Sequence, residues 1–263
     1  MQTEKIIDHI VNWLREYAKN SGSKGFVIGV SGGIDSAVTS TLCALTGLDL
    51  LCLEMPIHQG ESQISRAQNH TTWLQSKHKN VRNERVHLSP VFDCLIKELP
   101  PVKNEEHRFI SLANTRARLR MTSLYYFAAL EGYLVAGTGN KVEDFGVGFY
   151  TKYGDGGVDL SPIADLLKTE VFSLGSALGI NKEILEAAPT DGLWGDDRTD
   201  EDQIGATYPE LEWAMSVQEQ GKKIKDFSGR KAEVYKIYKG LNTANQHKMK
   251  PIPICVIPKN YLK

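Results

Sequence analysis

The sequence has 263 residues, of which 41% are hydrophobic and 24% charged, a composition typical of a globular protein with a sizeable buried core. Its 31 basic and 32 acidic residues give a net charge of -1, which argues against a protein that binds nucleic acid through a basic surface. The most apolar run, residues 48–57, is interrupted by two acidic residues and is too short to span a bilayer. We therefore expect no membrane segment.

The cysteines and histidines predict a reducing compartment and no dedicated zinc centre. Four cysteines lie far apart and form no Cys-x-x-Cys pair, which is typical of a cytoplasmic protein rather than of a disulfide framework. The seven histidines include no His-Glu-x-x-His motif. We therefore expect a cytoplasmic protein.

Apolar periodicity predicts an alternation of helices and strands. In chain order we predict a helix at 3–19, a strand at 25–30, a helix at 35–46, a strand at 48–55, a helix at 61–78, a strand at 85–88, a helix at 105–131, a strand at 133–136 and helices from about 168 onward. This alternation indicates an α/β fold, a doubly wound parallel sheet with helices on both faces. We expect one domain over 1–263, with a parallel-sheet core at about 22–165 and a helical C-terminal part at about 166–263.

The most informative motif is Gly-Val-Ser-Gly-Gly-Ile-Asp-Ser, which lies between the first predicted strand and the following helix. Its paired glycines let backbone N–H groups approach a ligand, and the next helix adds free N–H groups and the positive end of its dipole. The turn lacks the Gly-Lys-Ser/Thr ending of kinase and GTPase loops and is not a Gly-x-Gly-x-x-Gly turn. We predict that it binds phosphate groups. The residues concerned are Gly29, Val30, Ser31, Gly32, Gly33, Ile34, Asp35 and Ser36.

Two acidic residues are candidates for Mg²⁺, which prefers one or two carboxylates together with phosphate oxygens. Asp35 lies in the turn itself, and Glu143 ends the run 137–143, which follows the last predicted strand. On local grounds a capped turn and a solvated glutamate remain the alternative. The segment 137–161 contains seven glycines, more than a simple connection needs, and we predict a functional loop region there.

Several segments carry a family resemblance. Residues 31–36 resemble the pyrophosphate-binding loop of the ATP pyrophosphatases, and 114–121, 137–143 and 151–162 resemble stretches of the NAD synthetases. Together these segments span the chain from about 25 to 250. The chain departs from that pattern at Val142, where we expect a small polar residue, and at 195–201, where the family has Gly-Gln-Thr-Asp-Glu. The resemblance implies a Rossmann-like fold of the adenine nucleotide alpha hydrolase type.

The resemblance also implies roles for individual residues. ATP is expected to contact the turn at 29–36 together with Thr138, Lys168 and Thr190, and Glu143 is expected to bind Mg²⁺. The residues expected to contact deamido-NAD are Arg118, Lys152, Asp159, His247 and Lys248. Residues 190–205 are expected to form a lid. The family's members are homodimers, so we expect a homodimer in which the helix at 105–131 contributes to the interface.

The reaction that the resemblance implies needs no nucleophile from the protein. The nicotinic acid carboxylate of deamido-NAD attacks the α-phosphorus of ATP, pyrophosphate leaves, and ammonia displaces AMP to give NAD. ATP is thus a co-substrate and Mg²⁺ the expected cofactor, which offsets the repulsion between the carboxylate and the triphosphate. The glutamine-hydrolysing form of the enzyme resembles a fusion with an amidase domain, for which 263 residues leave no room. We therefore expect free ammonia as the nitrogen source.

Three alternatives remain at this point. The first is another amidating synthetase with the same loop, of the GMP synthetase type, against which residues 151–159 argue. The second is a tRNA-thiolating or lysidine-forming relative, which usually carries catalytic cysteines or a basic appendage. The third is a non-catalytic ATP-binding module of the same sheet family.

Overall fold

The computed structural model describes residues 1–190 and 199–262. In chain order its main elements are α1 (Thr3–Ser21), β1 (Gly25–Gly29), α2 (Ile34–Leu45), β2 (Asp49–Glu54), α3 (Glu61–Lys77), β3 (Val81–Arg85), α4 (Ser89–Glu98), α5 (Glu105–Glu131), β4 (Leu134–Val135), a π-helix (Val142–Val147), α6 (Lys168–Ala177), α7 (Lys182–Leu185), α8 (Asp200–Ile204), α9 (Tyr208–Glu219), α10 (Gly229–Ala244) and α11 (Gln246–Met249). Two short 3₁₀ turns, Ile224–Asp226 and Lys259–Tyr261, complete the described chain.

The strands of the described chain form one parallel sheet in the order β3-β2-β1-β4. The chain runs from β1 outward through β2 to β3, and then returns to place β4 on the other side of β1. The order in which strands are added to the sheet therefore reverses between β1 and β4. Such a switch point leaves a crevice at the carboxyl ends of these two parallel strands. The turns that carry Asp35 and Glu143 follow β1 and β4 and begin at this crevice.

Alternate residues of the strands enter two apolar layers, because successive side chains of a strand point to opposite faces. Phe26 and Ile28 pack in a cluster with residues of α1, α2, α3, α6 and α7. Val27 and Leu51 pack in a second cluster with residues of α4 and α5. Helices thus cover both faces of the sheet, and the prediction of a doubly wound α/β fold is confirmed.

The third strand and its neighbourhood differ from the sequence prediction. The strand occupies Val81–Arg85 rather than 85–88, so the predicted position was wrong. As the edge strand of the sheet it carries polar residues, and only Val81 within it is buried, so it shows no apolar run. The apolar residues Val86 and Leu88 follow the strand, and their N–H groups donate to carbonyls at the end of β2 and just beyond it. Helix α4, which follows at once, was not predicted, although Pro90 in its first turn is a helix-start signal.

The helical C-terminal part has an apolar cluster of its own. Tyr235 and Tyr238 of α10 are each 1% exposed and pack with residues of α9 and of the π-helix. The amide of Asn242 donates to the carbonyl of Gly146 over 2.7 Å, which ties α10 to the π-helix. Among the residues described, no helix has the length and apolar character needed to cross a membrane.

Candidate active site

The turn after β1 is shaped by a glycine and by two hydroxyl groups. Gly32 has φ +81°, and a Cβ there would lie 2.8 Å from the carbonyl oxygen of Gln63 in α3. Ser31 Oγ accepts a hydrogen bond from the N–H of Gly33, and Ser36 Oγ accepts one from the N–H of Ser31, each over 3.2 Å. Helix α2 begins directly after Gly33 without a side-chain N-cap. Its first N–H groups are therefore available to an anion such as phosphate.

Asn140 joins the turn after β1 to the turn after β4. This side chain is fully buried, and its Nδ2 donates to Asp35 Oδ1 over 3.1 Å. Its Oδ1 accepts from the N–H groups of Val142 and Glu143, also over 3.1 Å each. One amide thus fixes the carboxylate of Asp35 and the backbone of Glu143 relative to each other. Asn140 lies inside the 137–143 motif, but nothing in the motif predicted this bridging role.

Lys168, the first residue of α6, brings the two acidic side chains together. Its Nζ lies 2.5 Å from Asp35 Oδ2 and 3.0 Å from Glu143 Oε1, and its side chain is 4% exposed. Burial alone would lower the pKa of Lys168, but the two carboxylates raise it above its ordinary value. Burial raises the pKa of Asp35, an effect that Lys168 opposes. The three groups form a buried cluster with one more negative than positive charge.

A cavity of about 270 Å³ lies at the switch point of the sheet. Every residue that was predicted to contact ATP lines it, although these residues come from four separate stretches of the chain. They are Gly29, Val30, Ser31, Gly32, Gly33, Ile34, Asp35, Ser36, Thr138, Lys168 and Thr190. Glu143, the second predicted Mg²⁺ ligand, lines the same cavity.

The residues predicted to contact deamido-NAD lie near one another, but most of them bond to the protein itself. Lys152 Nζ donates to the carbonyl of His247 over 2.5 Å, and the Arg118 guanidinium lies 3.4 Å from the carbonyl of Lys152. Lys248 Nζ donates to two backbone carbonyls over 2.7 Å each and lines a second cavity of about 180 Å³. Asp159 accepts from the backbone of β4 and from a tyrosine of α5, so it ties these elements together.

Two acidic residues that the sequence did not assign line both cavities. Burial, reinforced by the neighbouring carboxylates, raises the pKa of Asp144 to about 8. The pKa of Asp155 is raised to about 6, mainly by desolvation, an effect that the hydrogen bond from the Thr151 N–H opposes. The sequence did not predict a role for either residue. Asp155 lies in the 151–162 motif, which assigned roles to Lys152 and Asp159, and Asp144 directly follows Glu143.

Tyr208, at the start of α9, is a third site residue that the sequence did not reveal. Its hydroxyl donates to Glu143 Oε1 over 2.6 Å, and Asp200 Oδ2 lies 3.3 Å from the hydroxyl oxygen of Tyr208. Burial and the adjacent carboxylates raise the pKa of Tyr208 far above its usual value, so the hydroxyl keeps its proton. The predicted lid, 190–205, falls partly on residues 191–198, which lie outside the described residues.

The chemistry of the cluster fits a divalent cation. The ammonium of Lys168 touches Asp35 and Glu143 at once, so the two carboxylates already converge on one positively charged group. The described residues contain no group of three or more His, Cys, Asp or Glu side chains that could hold a metal ion. A cation here would complete its shell with water and phosphate oxygens, as Mg²⁺ does at nucleotide sites.

The crevice at the switch point, the N–H-lined turn and the paired carboxylates define a nucleotide-binding protein of the parallel α/β class. Residues 6–252 match the family model of NAD synthase. The chain belongs to this family, so the family resemblance inferred from the sequence is confirmed. Alternatives of the GMP synthetase type or a non-catalytic module are not favoured.

Individual relatives agree with this assignment. The chain is 36% identical over 233 residues to an NH₃-dependent NAD⁺ synthetase of Carboxydothermus hydrogenoformans, covering 86% of this chain and 91% of the relative. It resembles the structure of an NMN synthetase from Francisella tularensis with a TM-score of 0.83 and 31% identity, over 98% and 99% of the two chains. The corresponding values for an NH₃-dependent NAD synthetase of Campylobacter jejuni are 0.78 and 26%, over 97% and 100%.

Proposed function

We propose that this chain is a ligase that forms a carbon–nitrogen bond, an ammonia-dependent NAD synthetase that uses ATP to amidate deamido-NAD. The observation that carries the proposal is the shared cavity. In a chain of the NAD synthase family, the phosphate turn after β1 and the carboxylates of Asp35 and Glu143 face the same space. A nucleotide triphosphate, its cation and an attacking carboxylate can therefore meet at one point.

The chain's own groups account for binding and charge. The N–H groups of the turn after β1 would hold the departing pyrophosphate, and Lys168 would add positive charge beside it. Asp35 and Glu143 would hold Mg²⁺, which when bound offsets the charge of the triphosphate. The apolar walls of the cavity include Ile34 and Met55, and they would limit access of water to the reactive adenylate.

The proposed nitrogen source is free ammonia, as in the names of the curated relatives. The test is an assay of NAD formation from ATP and deamido-NAD, with either ammonium chloride or ammonia-free glutamine. We expect NAD, AMP and pyrophosphate in equal amounts with ammonium, and little NAD with glutamine. Comparable rates with glutamine, in a preparation free of glutaminase, would contradict the proposed nitrogen source. Absence of NAD with both would contradict the activity itself.

A second candidate substrate is nicotinic acid mononucleotide. The observation in its favour is the similarity to the Francisella tularensis NMN synthetase over almost the whole of both chains. The mononucleotide carries the same nicotinic carboxylate, so the adenylation and amidation steps would be unchanged. The discriminating measurement is kcat/KM for both substrates under identical conditions. If kcat/KM is larger for the mononucleotide, the mononucleotide and not deamido-NAD is the main substrate.

Two further properties belong to the proposal. We infer a homodimer, supported by an exposed stripe along α5 that includes Ile110, Tyr126 and Leu130. We also place the enzyme in the cytoplasm, supported by four cysteines that all carry free thiols.

A further inference from the structure

Tyr208 contacts the carboxylate pair from an element that the sequence motifs do not cover. It begins α9, is 3% exposed, and donates its hydroxyl hydrogen to Glu143 Oε1 over 2.6 Å. A phenol has only one hydrogen to give. The distance to Asp200 Oδ2 is longer, 3.3 Å, so Glu143 is the main acceptor. The Lys168 ammonium lies 4.7 Å from the centre of the same ring.

The backbone of Tyr208 is held firmly. Thr207 caps α9, its N–H donating to Glu210 Oε2 over 2.9 Å and its hydroxyl accepting from the Glu210 N–H. The N–H of Tyr208 donates to Glu201 Oε1 over 2.7 Å, which joins it to α8. These bonds fix the backbone of Tyr208, and its side chain is held in the apolar cluster of the C-terminal part.

Glu143 Oε1 has two hydrogen-bond donors, one charged and one neutral. Lys168 Nζ contacts this oxygen over 3.0 Å and Tyr208 donates to it over 2.6 Å. A divalent cation that binds Asp35 Oδ2 and Glu143 Oε1 would compete with the Lys168 ammonium, which contacts these two oxygens. Once Lys168 has left, the hydroxyl of Tyr208 still orients the carboxylate.

We propose that Tyr208 is a positioning residue, which holds Glu143 in its cation-binding orientation while Lys168 is exchanged for Mg²⁺. The inference rests on the proposed ATP and cation site but not on the identity of the amidated substrate. Hydrogen-bonded partners of metal ligands commonly change metal affinity by about tenfold to a hundredfold when they are removed. The effect of removing the Tyr208 hydroxyl should therefore appear in cation affinity.

The test is Tyr208→Phe, which removes the hydroxyl and keeps the buried ring. The matched control is Tyr235→Phe, since Tyr235 is also buried and donates to the Lys222 carbonyl over 2.7 Å, far along the chain from the carboxylate pair. Binding of Mn²⁺ is followed by electron paramagnetic resonance in the presence of a non-hydrolysable ATP analogue. We expect the Mn²⁺ dissociation constant to rise about tenfold or more in Tyr208→Phe and to stay unchanged in Tyr235→Phe.

A second readout separates positioning from a structural role. In the amidation assay, Tyr208→Phe should need more Mg²⁺ for half-maximal rate, and excess Mg²⁺ should restore most of kcat. Wild-type Mn²⁺ affinity in Tyr208→Phe would overturn the proposal, and a lowered unfolding temperature beside it would show that the hydroxyl has only a structural role. Failure of the wild-type protein to bind Mn²⁺ with the analogue would overturn the proposed cation site as well. Absence of NAD formation with normal Mn²⁺ binding would affect only the proposed function.

Discussion

At the scale of single residues, Asp35 and Glu143 share one ammonium group inside the protein. Each side chain is 16% exposed, and both contact Lys168. Two carboxylates so close together repel each other unless a positive charge lies between them. We therefore expect the pair to bind a cation of higher charge than one ammonium group, and the proposed Mg²⁺ has that charge.

Asp35→Asn and Glu143→Gln should each lower kcat by about a hundredfold or more, the order of magnitude found when one group that stabilises transition-state charge is removed. The fold should survive, because each variant keeps one carboxylate for Lys168. Steady-state kinetics at saturating Mg²⁺ and circular dichroism check the two expectations. Asp165→Asn is the control, since the Asp165 side chain is 97% exposed and pairs with Lys141 rather than with the Lys168 cluster. Turnover near the wild-type value in both site variants would reject the assignment.

His70 gives a prediction about stability rather than activity. It is fully buried between α2 and α3, next to Ser40 at 2.8 Å, and burial lowers its pKa to about 4 from 6.5. The folded state therefore prefers the neutral imidazole. The resulting stabilisation is complete above pH 6.5 and is lost as the pH falls from 6.5 towards 4.

At 1.36 kcal/mol for each pKa unit, protonation of His70 should remove up to about 3 kcal/mol of the free energy of unfolding between pH 7 and pH 4. Urea denaturation at several pH values measures this loss. His70→Leu should flatten the dependence, because it removes the titrating group. His9→Gln, at an exposed position, should leave it unchanged. An equally steep dependence in His70→Leu would show that another group titrates.

The site residues differ in whether the sequence alone could predict them. Residues of the phosphate turn were predictable because glycine pairs between a strand and a helix have few other uses. Glu143 was predictable because it follows a strand end. Tyr208 and Asp200 were not, since a buried tyrosine or aspartate looks the same in the sequence whether it contacts a core or a catalytic carboxylate. The contacts of the Tyr208 hydroxyl with Glu143 and Asp200 depend on how α8 and α9 pack.

At the scale of elements, the approach of α3 to the turn after β1 requires Gly32. Its φ of +81° is in the left-handed region, and a Cβ would meet backbone atoms of Gln63 and Ala67 at 2.8 and 3.0 Å. Arg66 also donates from α3 to the carbonyl of Gly32 over 3.4 Å. A side chain at this position must therefore push the helix and the phosphate turn apart.

Gly32→Ala should lower the free energy of unfolding by more than Gly47→Ala and should also weaken ATP binding. Gly47 is the matched control, because its φ is +76° but a Cβ there would meet nothing within 4 Å. Both variants have the left-handed strain of about 1–2 kcal/mol, and only Gly32→Ala adds the clash. Urea denaturation and calorimetric titration with ATP measure the two effects. Equal destabilisation with unchanged ATP affinity would contradict this role of Gly32.

Elements were predictable where their residues show a clear period. Helices α1 and α5 and strands β1 and β2 lie within a few residues of their predicted positions, because each buries a regular set of apolar residues. The π-helix Val142–Val147 was not predicted, because the glycine-rich segment 137–161 around it suggested only a loop. It is stabilised from outside, by the side-chain amides of Asn242 in α10 and of Asn245 directly after α10, which donate to the carbonyls of Gly146 and Val147. Local sequence does not contain that contact.

At the scale of the whole molecule, α5 exposes a stripe of residues spaced four apart, which lie along one ridge of a helix. Ile110 is 43% exposed, Tyr126 63% and Leu130 64%, and Arg118 and Thr122 are exposed between them. Apolar side chains lie at both ends and polar ones near the middle. A two-fold axis close to residue 120 would place Ile110 of one protomer opposite Leu130 of its partner. The stripe is thus complementary to a second copy of itself, as a symmetric dimer requires.

Sedimentation equilibrium at micromolar concentration should therefore give the mass of a dimer. Tyr126→Glu and Leu130→Glu should shift the protein towards the monomer, because each would bury a carboxylate without a partner at the two-fold interface. Ile224→Glu is the control, since Ile224 is 38% exposed but lies outside α5. The α5 variants should also lose activity as they dissociate, because Arg118 lies in the middle of the stripe and is predicted to contact the dinucleotide. A monomeric wild-type protein, or dimers that survive both substitutions, would show that this face of α5 does not form the interface.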